Sequence, residues 1–332
     1  MKTSVSQLII IALVGVTVFN CTSKQTKQSD PLPSWNDGEL KSAITQFVDD
    51  VTNENGPNYV KQEERIATFD NDGTLWCEQP VVQFSYIFYQ IKQMYPDHPK
   101  WKGDSIYEAA LNGDMDYLVN DYMSGGKALP QLLLATHTDV SLNDFNAYVQ
   151  DFFNNEKHPK FNVPFTKVCY QPMVELLEYL RANGFKTYIC SGGGIDFMRV
   201  VSEDIYGIVP ENVIGSNARN IYKQVDGQWQ LMKTADKLLN NDKAGKPEGI
   251  DLHIGRIPIF SGGNVRTGGD IEMLGYCASN SLPNFQLLIN HDDDVREYAY
   301  SEKDNASLNA ADEGGWHVVN MKDEWKRIFP NN

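Results

Sequence analysis

The sequence predicts an α/β protein, in which a doubly wound, mainly parallel sheet carries an inserted helical cap. Short apolar runs that alternate with amphipathic helices are typical of a parallel sheet. The stretch 79–168 is mainly helical in pattern and separates the first expected strand, 65–69, from the next, 186–190. Because the segments on either side need each other to form a sheet, we interpret this stretch as an insertion, not a separate domain.

The elements follow from the spacing of apolar residues. A helix is expected over 39–53, and cap helices at 82–94, 107–111, 115–123, 129–136 and 142–153. After the cap we expect helices at 173–181 and 195–203, strands at 186–190 and 212–215, and a hairpin around 225–229. Three further strands are predicted at 256–260, 285–290 and 316–321. The core therefore comprises 39–78 and 169–332, and the cap 79–168.

Composition excludes one class of partner. The 332 residues suffice for one large domain with an inserted module. The net charge of −15 and the absence of Lys/Arg runs argue against nucleic acid as a partner, because such proteins need a basic face.

The first residues resemble an export signal. Lys2 precedes an apolar run from Leu8 to Phe19, which is too short for a comfortable membrane span, so we expect a signal peptide at 1–20. The residues before Cys21 resemble a bacterial lipoprotein cleavage box, which predicts a lipid anchor on Cys21 and a place in the periplasm or at the outer membrane. Ordinary secretion and an uncleaved anchor remain alternatives. The polar residues 21–38 are expected to form a tether.

Four further cysteines carry no metal-binding pattern. Cys77, Cys169, Cys190 and Cys277 include no CxxC pair, which disfavours zinc and thioredoxin-like chemistry. Disulfides are open to an exported protein, but burial as free thiols is the better interpretation.

The run DNDGT at 70–74 is the most informative segment of the chain. It directly follows the apolar strand 65–69. Asp70 and Asp72 are two positions apart, so in an extended segment they face the same side. The carboxyl ends of strands in open α/β sheets are where ligands bind. Two turn-forming aspartates are the alternative. The run resembles the DxDGT signature of the haloacid-dehalogenase superfamily, most of whose members are phosphohydrolases.

This resemblance implies roles for the run. Asp70 would be the nucleophile that forms an aspartyl-phosphate. Asp72 would be the general acid and then the general base. Thr74 would contact phosphate, and Mg²⁺ would offset the paired carboxylates.

Ser191 and Gly192 are candidate phosphate ligands. They follow the strand 186–190 in a glycine-rich segment that is expected to turn into a helix, where N–H groups bind anions well. A serine-hydrolase nucleophile is disfavoured, because the segment lacks the first glycine of GxSxG. A plain glycine-rich turn remains the other alternative.

Lys246 is the candidate cation. The superfamily needs a lysine that neutralises phosphate and nucleophile, and Lys246 precedes Pro247 at an expected helix start. Lys233, Lys237 and Lys243 are nearby rivals.

The segment 260–274 resembles the superfamily's acidic motif. Its end, from Asp270 to Leu274, is similar to D-x-x-M-L, whereas Asn264 stands where a first acid is common. Either Asn264 or Asp270 is therefore the expected inner metal ligand. The alternative is a glycine-rich surface loop.

Taken together, these motifs cover residues 60–325. They imply a Mg²⁺-dependent hydrolase of phosphomonoesters, because dehalogenases lack the second acid, Asp72. The position of the cap resembles phosphoserine-phosphatase-like members, so a small phosphorylated metabolite, with phosphoserine as one possibility, is the expected substrate. A pyrophosphatase, a phosphotransferase or mutase, and a non-catalytic surface lipoprotein remain alternatives. Glu78 and the cluster 291–294 are expected either to border the site or to be exposed.

Overall fold

Six parallel strands form the central sheet of the part of the chain that the computed structural model describes, residues 30–266 and 268–330. The described part contains eight strands in all: β1 (Ile66–Phe69), β2 (Lys186–Gly194), β3 (Val213–Ser216), β4 (Ile221–Val225), β5 (Gln228–Met232), β6 (Phe260–Asn264), β7 (Phe285–Asn290) and β8 (His317–Asn320). The order is β3-β2-β1-β6-β7-β8, and β4 and β5 form a separate antiparallel hairpin. The predicted α/β fold class is confirmed.

Helices surround this sheet. They are α1 (Glu39–Thr52), α2 (Val82–Met94), α3 (Ser105–Leu111), α4 (Met115–Met123), α5 (Ala128–His137), α6 (Leu142–Asn155), α7 (Gln171–Ala182), α8 (Ile195–Arg199), α9 (Ser202–Tyr206), α10 (Gly245–Ile254), α11 (Ile271–Ala278), α12 (Ala306–Gly314) and α13 (Met321–Glu324). Within the described residues, none of them is long and apolar enough to cross a membrane.

The strand order reverses at β1, and this reversal places the candidate site. β1 pairs with β2 on one side and with β6 on the other, all in parallel. Carboxyl ends of neighbouring parallel strands meet at one edge, and a reversal of strand order opens a crevice there. Residues that end or follow β1, β2 and β6 therefore share this crevice.

Two helices of the inserted stretch, α2 and α6, pack on the core through aromatic rings. The ring of Tyr86 in α2 lies 5.8 Å from those of Phe145 and Phe152 in α6. It also lies 5.4 Å from Phe197 in α8, which belongs to the sheet side. Aromatic rings contribute large buried areas, so this cluster stabilises the contact between the two parts.

The largest boundary differences from the prediction lie at β6 and at the end of β2. We expected a strand at 256–260, but β6 begins at Phe260 and continues through residues assigned to a loop. Glycine suits this strand, because a side chain at Gly262 would come within 2.6 Å of the Phe69 ring. Likewise, β2 continues to Gly194, and the helix expected at 195–203 is divided into α8 and α9.

The tether expectation is wrong for residues 31–38. Leu32 and Trp35 are fully buried. The Trp35 indole N–H donates to the carbonyl of Pro172 at 2.9 Å, and the ring meets Trp325 edge-on at 5.9 Å. The segment is polar overall, but Leu32 and Trp35 are apolar and anchor it to the core. The signal peptide at 1–20 and Cys21 lie outside the described residues.

The four cysteines of the described part are free and buried, as their interpretation as core residues expected.

Candidate active site

Asp70 and Lys246 form a buried ion pair at the carboxyl end of β1. The Lys246 ammonium donates to Oδ1 of Asp70 at 2.8 Å, and both residues are at least 94% buried. The Asp70 N–H donates to the carbonyl of Gly262 in β6 at 2.9 Å, which fixes the aspartate between two strands. Lys246 is the second residue of α10. Of the four lysines considered, it is the one that the described structure pairs with Asp70.

Asp270 shares the same ammonium. Its Oδ1 accepts a hydrogen bond from Lys246, and its Oδ2 accepts the Asn264 N–H at 2.9 Å. Although burial lowers the pKa of Lys246, the carboxylates of Asp270 and Asp70 raise it well above the ordinary value. Burial and the charge of Asp70 raise the pKa of Asp270 to about 7. One ammonium therefore serves two carboxylates.

Asp72 is poised to carry a proton. Burial raises its pKa to about 7, with a further contribution from the charge of Asp70, although the hydrogen bond from Trp76 opposes the shift. That bond runs from the Trp76 indole N–H to Oδ1 at 2.9 Å. A carboxyl group with a pKa near neutrality can donate and accept a proton at physiological pH.

Gly73 shapes the loop between these carboxylates and Asn264. It has φ +76°, and a Cβ there would lie 2.1 Å from Nδ2 of Asn264. Its carbonyl accepts a hydrogen bond from Nε2 of His291 at 2.8 Å. The other ring nitrogen of His291 faces Oε2 of Glu297 at 3.4 Å. His291, which itself contacts Glu297, thus stabilises the loop through a hydrogen bond to its backbone.

Sequence reasoning missed this support. It treated the cluster 291–294 as a border of the pocket or a solvated turn, yet His291 is 1% exposed. The only local signal was a histidine directly after the strand β7, and nothing in the sequence paired it with Gly73.

The glycine-rich end of β2 lies across from Asp72. Ser191 is buried, and its hydroxyl accepts the Gly193 N–H at 3.1 Å. The Gly192 carbonyl accepts from the hydroxyl of Ser216 at 2.8 Å. A Cβ at Gly193 would lie 3.4 Å from Oδ2 of Asp72, so the glycine permits the approach of the carboxylate.

Gln83 of α2 also reaches this segment, which the sequence did not predict. Its side-chain oxygen accepts the Gly194 N–H at 2.9 Å. A Cβ at Gly193 would lie 2.2 Å from its amide nitrogen. A residue of the inserted helices therefore lies against the strand that carries Ser191.

Thr74, an expected phosphate contact, is fully buried. Its hydroxyl has no hydrogen-bond partner among the described residues, and the same holds for the side chain of Asn71. The loop turns Thr74 into the interior, because the backbone carbonyl of Asn71 accepts hydrogen bonds from the N–H groups of Thr74 and Leu75. The role of Thr74 as a phosphate contact therefore stays a prediction.

Glu78 is committed to neighbouring side chains and is 3% exposed. It accepts hydrogen bonds from the Asn264 amide at 3.2 Å and from the Tyr300 hydroxyl at 2.6 Å, and it forms an ion pair with Arg266. Of the two alternatives that the sequence left for Glu78, exposure to solvent is therefore wrong. Its partners lie 186 to 222 positions away, beyond the reach of local pattern.

The donor set fits a hard divalent cation. In the described part, the site gathers the carboxylates of Asp70, Asp72, Glu78 and Asp270, and the cations of Lys246 and Arg266. This excess of negative charge contributes to the raised pKa values of Asp72 and Asp270. Mg²⁺ favours carboxylate and amide oxygens.

The structure shows how the side chain of Asp270, one of the two alternative metal ligands, is engaged. Both oxygens of Asp270 are engaged, by Lys246 and by the Asn264 N–H. Among the described residues, no group of three or more His, Cys, Asp or Glu side chains is arranged to hold a metal. A cation here would therefore depend on Asp70 and Asp72 together with the amide oxygen of Asn264.

Solved structures are similar to this chain at low sequence identity. A protein of unknown function from Anaerococcus prevotii matches with 17% identity and a TM-score of 0.53, over 84% of this chain and 91% of that one. A phosphoserine phosphohydrolase-like protein from Francisella tularensis matches with 16% identity and a TM-score of 0.41, over 78% and 97%. A HAD family hydrolase from Salmonella enterica matches with 14% identity and a TM-score of 0.39, over 79% and 69%. No family model and no curated protein sequence matches the chain.

Proposed function

We propose that the protein hydrolyses phosphomonoesters of small metabolites, with Mg²⁺ as cofactor and an aspartyl-phosphate intermediate. The observation that carries the proposal is the buried ammonium of Lys246 between Asp70 and Asp270, with Asp72 beside them near its point of protonation. The order of the sequence motifs and their resemblance to the haloacid-dehalogenase superfamily support the same chemistry.

In the first step, a carboxylate oxygen of Asp70 attacks phosphorus, and the bond from phosphorus to the alcohol oxygen breaks. Protonated Asp72 gives its proton to the leaving oxygen, so a neutral alcohol departs. Lys246 lowers the repulsion between the Asp70 carboxylate and the phosphate. In phosphoryl transfer, the protein contributes mainly position and charge, which is what this group of side chains offers.

In the second step, Asp72 takes a proton from a water molecule that attacks phosphorus. The bond between phosphorus and Asp70 breaks, which releases inorganic phosphate and restores both aspartates. Ser191 and Gly192 would supply a hydroxyl and an N–H to the phosphate oxygens. Mg²⁺, held by Asp70 and Asn264 while Asp72 carries its proton, would add positive charge where the phosphate oxygens become more negative.

We also propose that residues 79–168 act as a cap that excludes water during transfer. The hydrogen bond from the Gly194 N–H to Gln83 supports this, because it joins an inserted helix to the edge of the site.

The decisive experiment is phosphate release from a panel of phosphomonoesters, with Mg²⁺ and with EDTA. Wild type is compared with Asp70→Asn, and Asp251→Asn, an exposed position on α10, is the control. We expect turnover with Mg²⁺ in wild type and control, and loss of turnover in Asp70→Asn. Absence of turnover on every ester would refute the hydrolase. Activity that survives Asp70→Asn or EDTA would refute the mechanism.

Export and lipidation are a separate proposal, which rests on residues outside the described part. Lipid labelling that disappears in Cys21→Ala is the expected result. Membrane association that is unchanged in that variant would contradict it.

A further inference from the structure

Gln83, the second residue of α2, brings an amide group from the inserted helices to the reacting side chains of the candidate site. Its Oε1 accepts the Gly194 N–H at 2.9 Å. Because a backbone N–H can only donate, the amide atom that meets it is the oxygen. The amide nitrogen, Nε2, is therefore the atom turned towards Gly193, where a Cβ would lie 2.2 Å from it.

The Nε2 group of Gln83 has hydrogens left to donate. Within residues 30–266 and 268–330, no acceptor forms a hydrogen bond with Nε2, although the side chain is half-buried. Polar groups that are withdrawn from solvent are normally paired with protein or water. This donor is therefore available to a molecule that enters the site.

The two oxygens of Asp72 make different contacts. Oδ1 accepts the Trp76 indole N–H at 2.9 Å, so the proton that Asp72 transfers is carried by Oδ2. Oδ2 would lie 3.4 Å from a Cβ at Gly193, and Nε2 of Gln83 would lie 2.2 Å from the same point. Even at the largest separation that these two distances allow, one oxygen atom can form a hydrogen bond with both groups.

The oxygen that meets Oδ2 is the reacting one. In the proposed first step, the leaving alcohol oxygen takes its proton from Asp72, and in the second step the attacking water gives a proton to Asp72. Both oxygens occupy the position opposite Asp70, because attacking and leaving groups lie roughly in line in phosphoryl transfer. A donor beside Oδ2 therefore reaches the leaving oxygen first and the water afterwards.

We propose that Gln83 is a catalytic residue, whose Nε2 group donates a hydrogen bond to the leaving oxygen as its bond to phosphorus breaks, and then to the attacking water. The inference rests on the proposed hydrolase and gives the inserted helices a part in the chemistry beyond the exclusion of water. The leaving oxygen gains negative charge until the proton of Asp72 has been transferred. A hydrogen-bond donor that is already in place stabilises this charge.

The test is the dependence of kcat/KM on the leaving group, measured with Mg²⁺. Gln83→Met keeps the length of the side chain and removes the amide, and Gln93→Met, at an exposed position of the same helix, is the control. For ethyl phosphate, whose leaving oxygen is strongly basic, kcat/KM of Gln83→Met is expected to fall roughly tenfold. For p-nitrophenyl phosphate, whose leaving oxygen is weakly basic, it should fall less than about threefold. Gln93→Met should resemble wild type with both esters.

This pattern separates a donor from a purely structural contact. Loss of the bond from the Gly194 N–H alone would loosen α2 and lower kcat/KM for both esters by the same factor. An equal fall for the two esters, or wild-type activity in Gln83→Met, would overturn the inference and leave the hydrolase intact. Absence of phosphate release from every ester with the wild-type protein would refute the hydrolase itself, and this inference with it.

Gly193→Ala tests the location without a change to Gln83. The new methyl group would lie 2.2 Å from Nε2, at the end of a side chain that can move, but 3.4 Å from Oδ2 of Asp72, which is an ordinary contact. The variant is expected to show the same leaving-group pattern as Gln83→Met, because the amide must shift. If Gln83→Met folds poorly, the pattern in Gly193→Ala decides the question.

The double variant completes the test. Its kcat/KM for ethyl phosphate should lie no more than about twofold below that of the weaker single variant, because both changes disturb one contact. Losses that multiply would show that Gln83 and Gly193 act at separate places, and would overturn the inference.

Discussion

The ammonium of Lys246 lies 2.8 Å from Oδ1 of Asp70, although 176 positions separate the two residues in the sequence. α10 contacts β2 and β3, and β2 is the direct neighbour of β1. The start of α10 and the end of β1 are thereby brought to the same edge of the sheet. The positive charge of Lys246 offsets the negative charges of two buried carboxylates, those of Asp70 and Asp270.

Removal of the ammonium should destabilise the protein in a pH-dependent way. Lys246→Met leaves Asp70 and Asp270 buried without their cation, which typically costs about 3–5 kcal/mol of unfolding free energy. Without the lysine, which lowers the pKa of Asp270, the folded-state pKa of that carboxyl group rises further above its value in the unfolded chain. The folded state then binds more protons, so stability falls as pH rises. Urea unfolding at pH 5 and pH 8 should show the larger loss at pH 8.

The control is Lys223→Met, at an exposed position of β4. It should change the unfolding free energy by less than about 0.5 kcal/mol at both pH values. If Lys246→Met loses the same unfolding free energy at pH 5 and pH 8, uncompensated carboxylates are not the cause of the loss.

The proposed general acid predicts a pH profile. Burial, with the charge of Asp70, raises the pKa of Asp72 to about 7. A general acid must be protonated, so kcat/KM for an alkyl phosphate should fall as pH rises through about 7. An ordinary aspartate would give this limb near pH 4. The measurement is kcat/KM between pH 5 and 9 at constant ionic strength.

Leaving-group chemistry provides the comparison. Asp72→Asn cannot donate the proton, so alkyl phosphates, whose leaving groups are strongly basic, should lose more turnover than p-nitrophenyl phosphate. An equal loss on both esters, or a falling limb that persists in Asp72→Asn, would show that another group is the acid.

Gly73 should tolerate no side chain, for two separable reasons. Its φ of +76° disfavours other residues, and a Cβ would lie 2.1 Å from Nδ2 of Asn264. Gly227 in the hairpin turn has φ +81° but open space around it. Gly227→Ala should cost about 1–2 kcal/mol from backbone strain alone. Gly73→Ala should cost more and should also weaken Mg²⁺ activation, because Asn264 must move.

Thermal unfolding and Mg²⁺ titration of activity measure the two effects. Equal destabilisation in both variants, with unchanged Mg²⁺ dependence in Gly73→Ala, would show that the contact with Asn264 is unimportant.

Much of the core of the site followed from local pattern. The DNDGT run predicted where Asp70 and Asp72 lie, because an apolar strand and a turn can be recognised within ten residues. The helix predicted at 115–123 coincides with α4. Lys246 and Asp270, which the motifs singled out, lie with Asp70 at one sheet edge, since carboxyl ends of parallel strands converge.

Long-range pairing limited the rest. Gln83, His291 and Tyr300 act through partners more than 100 positions away, and no local spacing reveals those contacts. The glycines of β6 were assigned to a loop because Gly is rare in strands. In the folded chain, the neighbouring Phe69 ring leaves no room for a side chain.

His137 should make stability depend on acidity. Burial, with the nearby charge of Lys233, lowers its pKa to about 3, although Asp196 opposes the shift. Between that value and about pH 6.5, the unfolded state binds a proton that the folded state does not. Stability should therefore fall as pH drops through this range, by up to about 1.4 kcal/mol per pH unit. His137→Phe removes the group and keeps a ring between Tyr86 and Phe145.

Urea unfolding from pH 4 to 8.5 checks this expectation. The variant should show a shallower dependence than wild type below pH 6.5. Above pH 7.5, where the imidazole is neutral in both states, the two curves should run parallel. Parallel curves across the whole range would contradict a histidine that the fold holds in the neutral form.

Trp35 provides a stability test of the segment that the sequence suggested was a tether. Its side chain is fully buried against Trp325, whereas Trp229 in β5 is 61% exposed. Trp35→Ala should lower the unfolding free energy by about 3–5 kcal/mol, since it removes a large buried ring and leaves a cavity. Trp229→Ala removes the same atoms from the surface and should cost less than about 1 kcal/mol. Equal losses of unfolding free energy in the two variants would support a tether at residues 31–38. A buried ring that contributes no more than an exposed one does not anchor the chain.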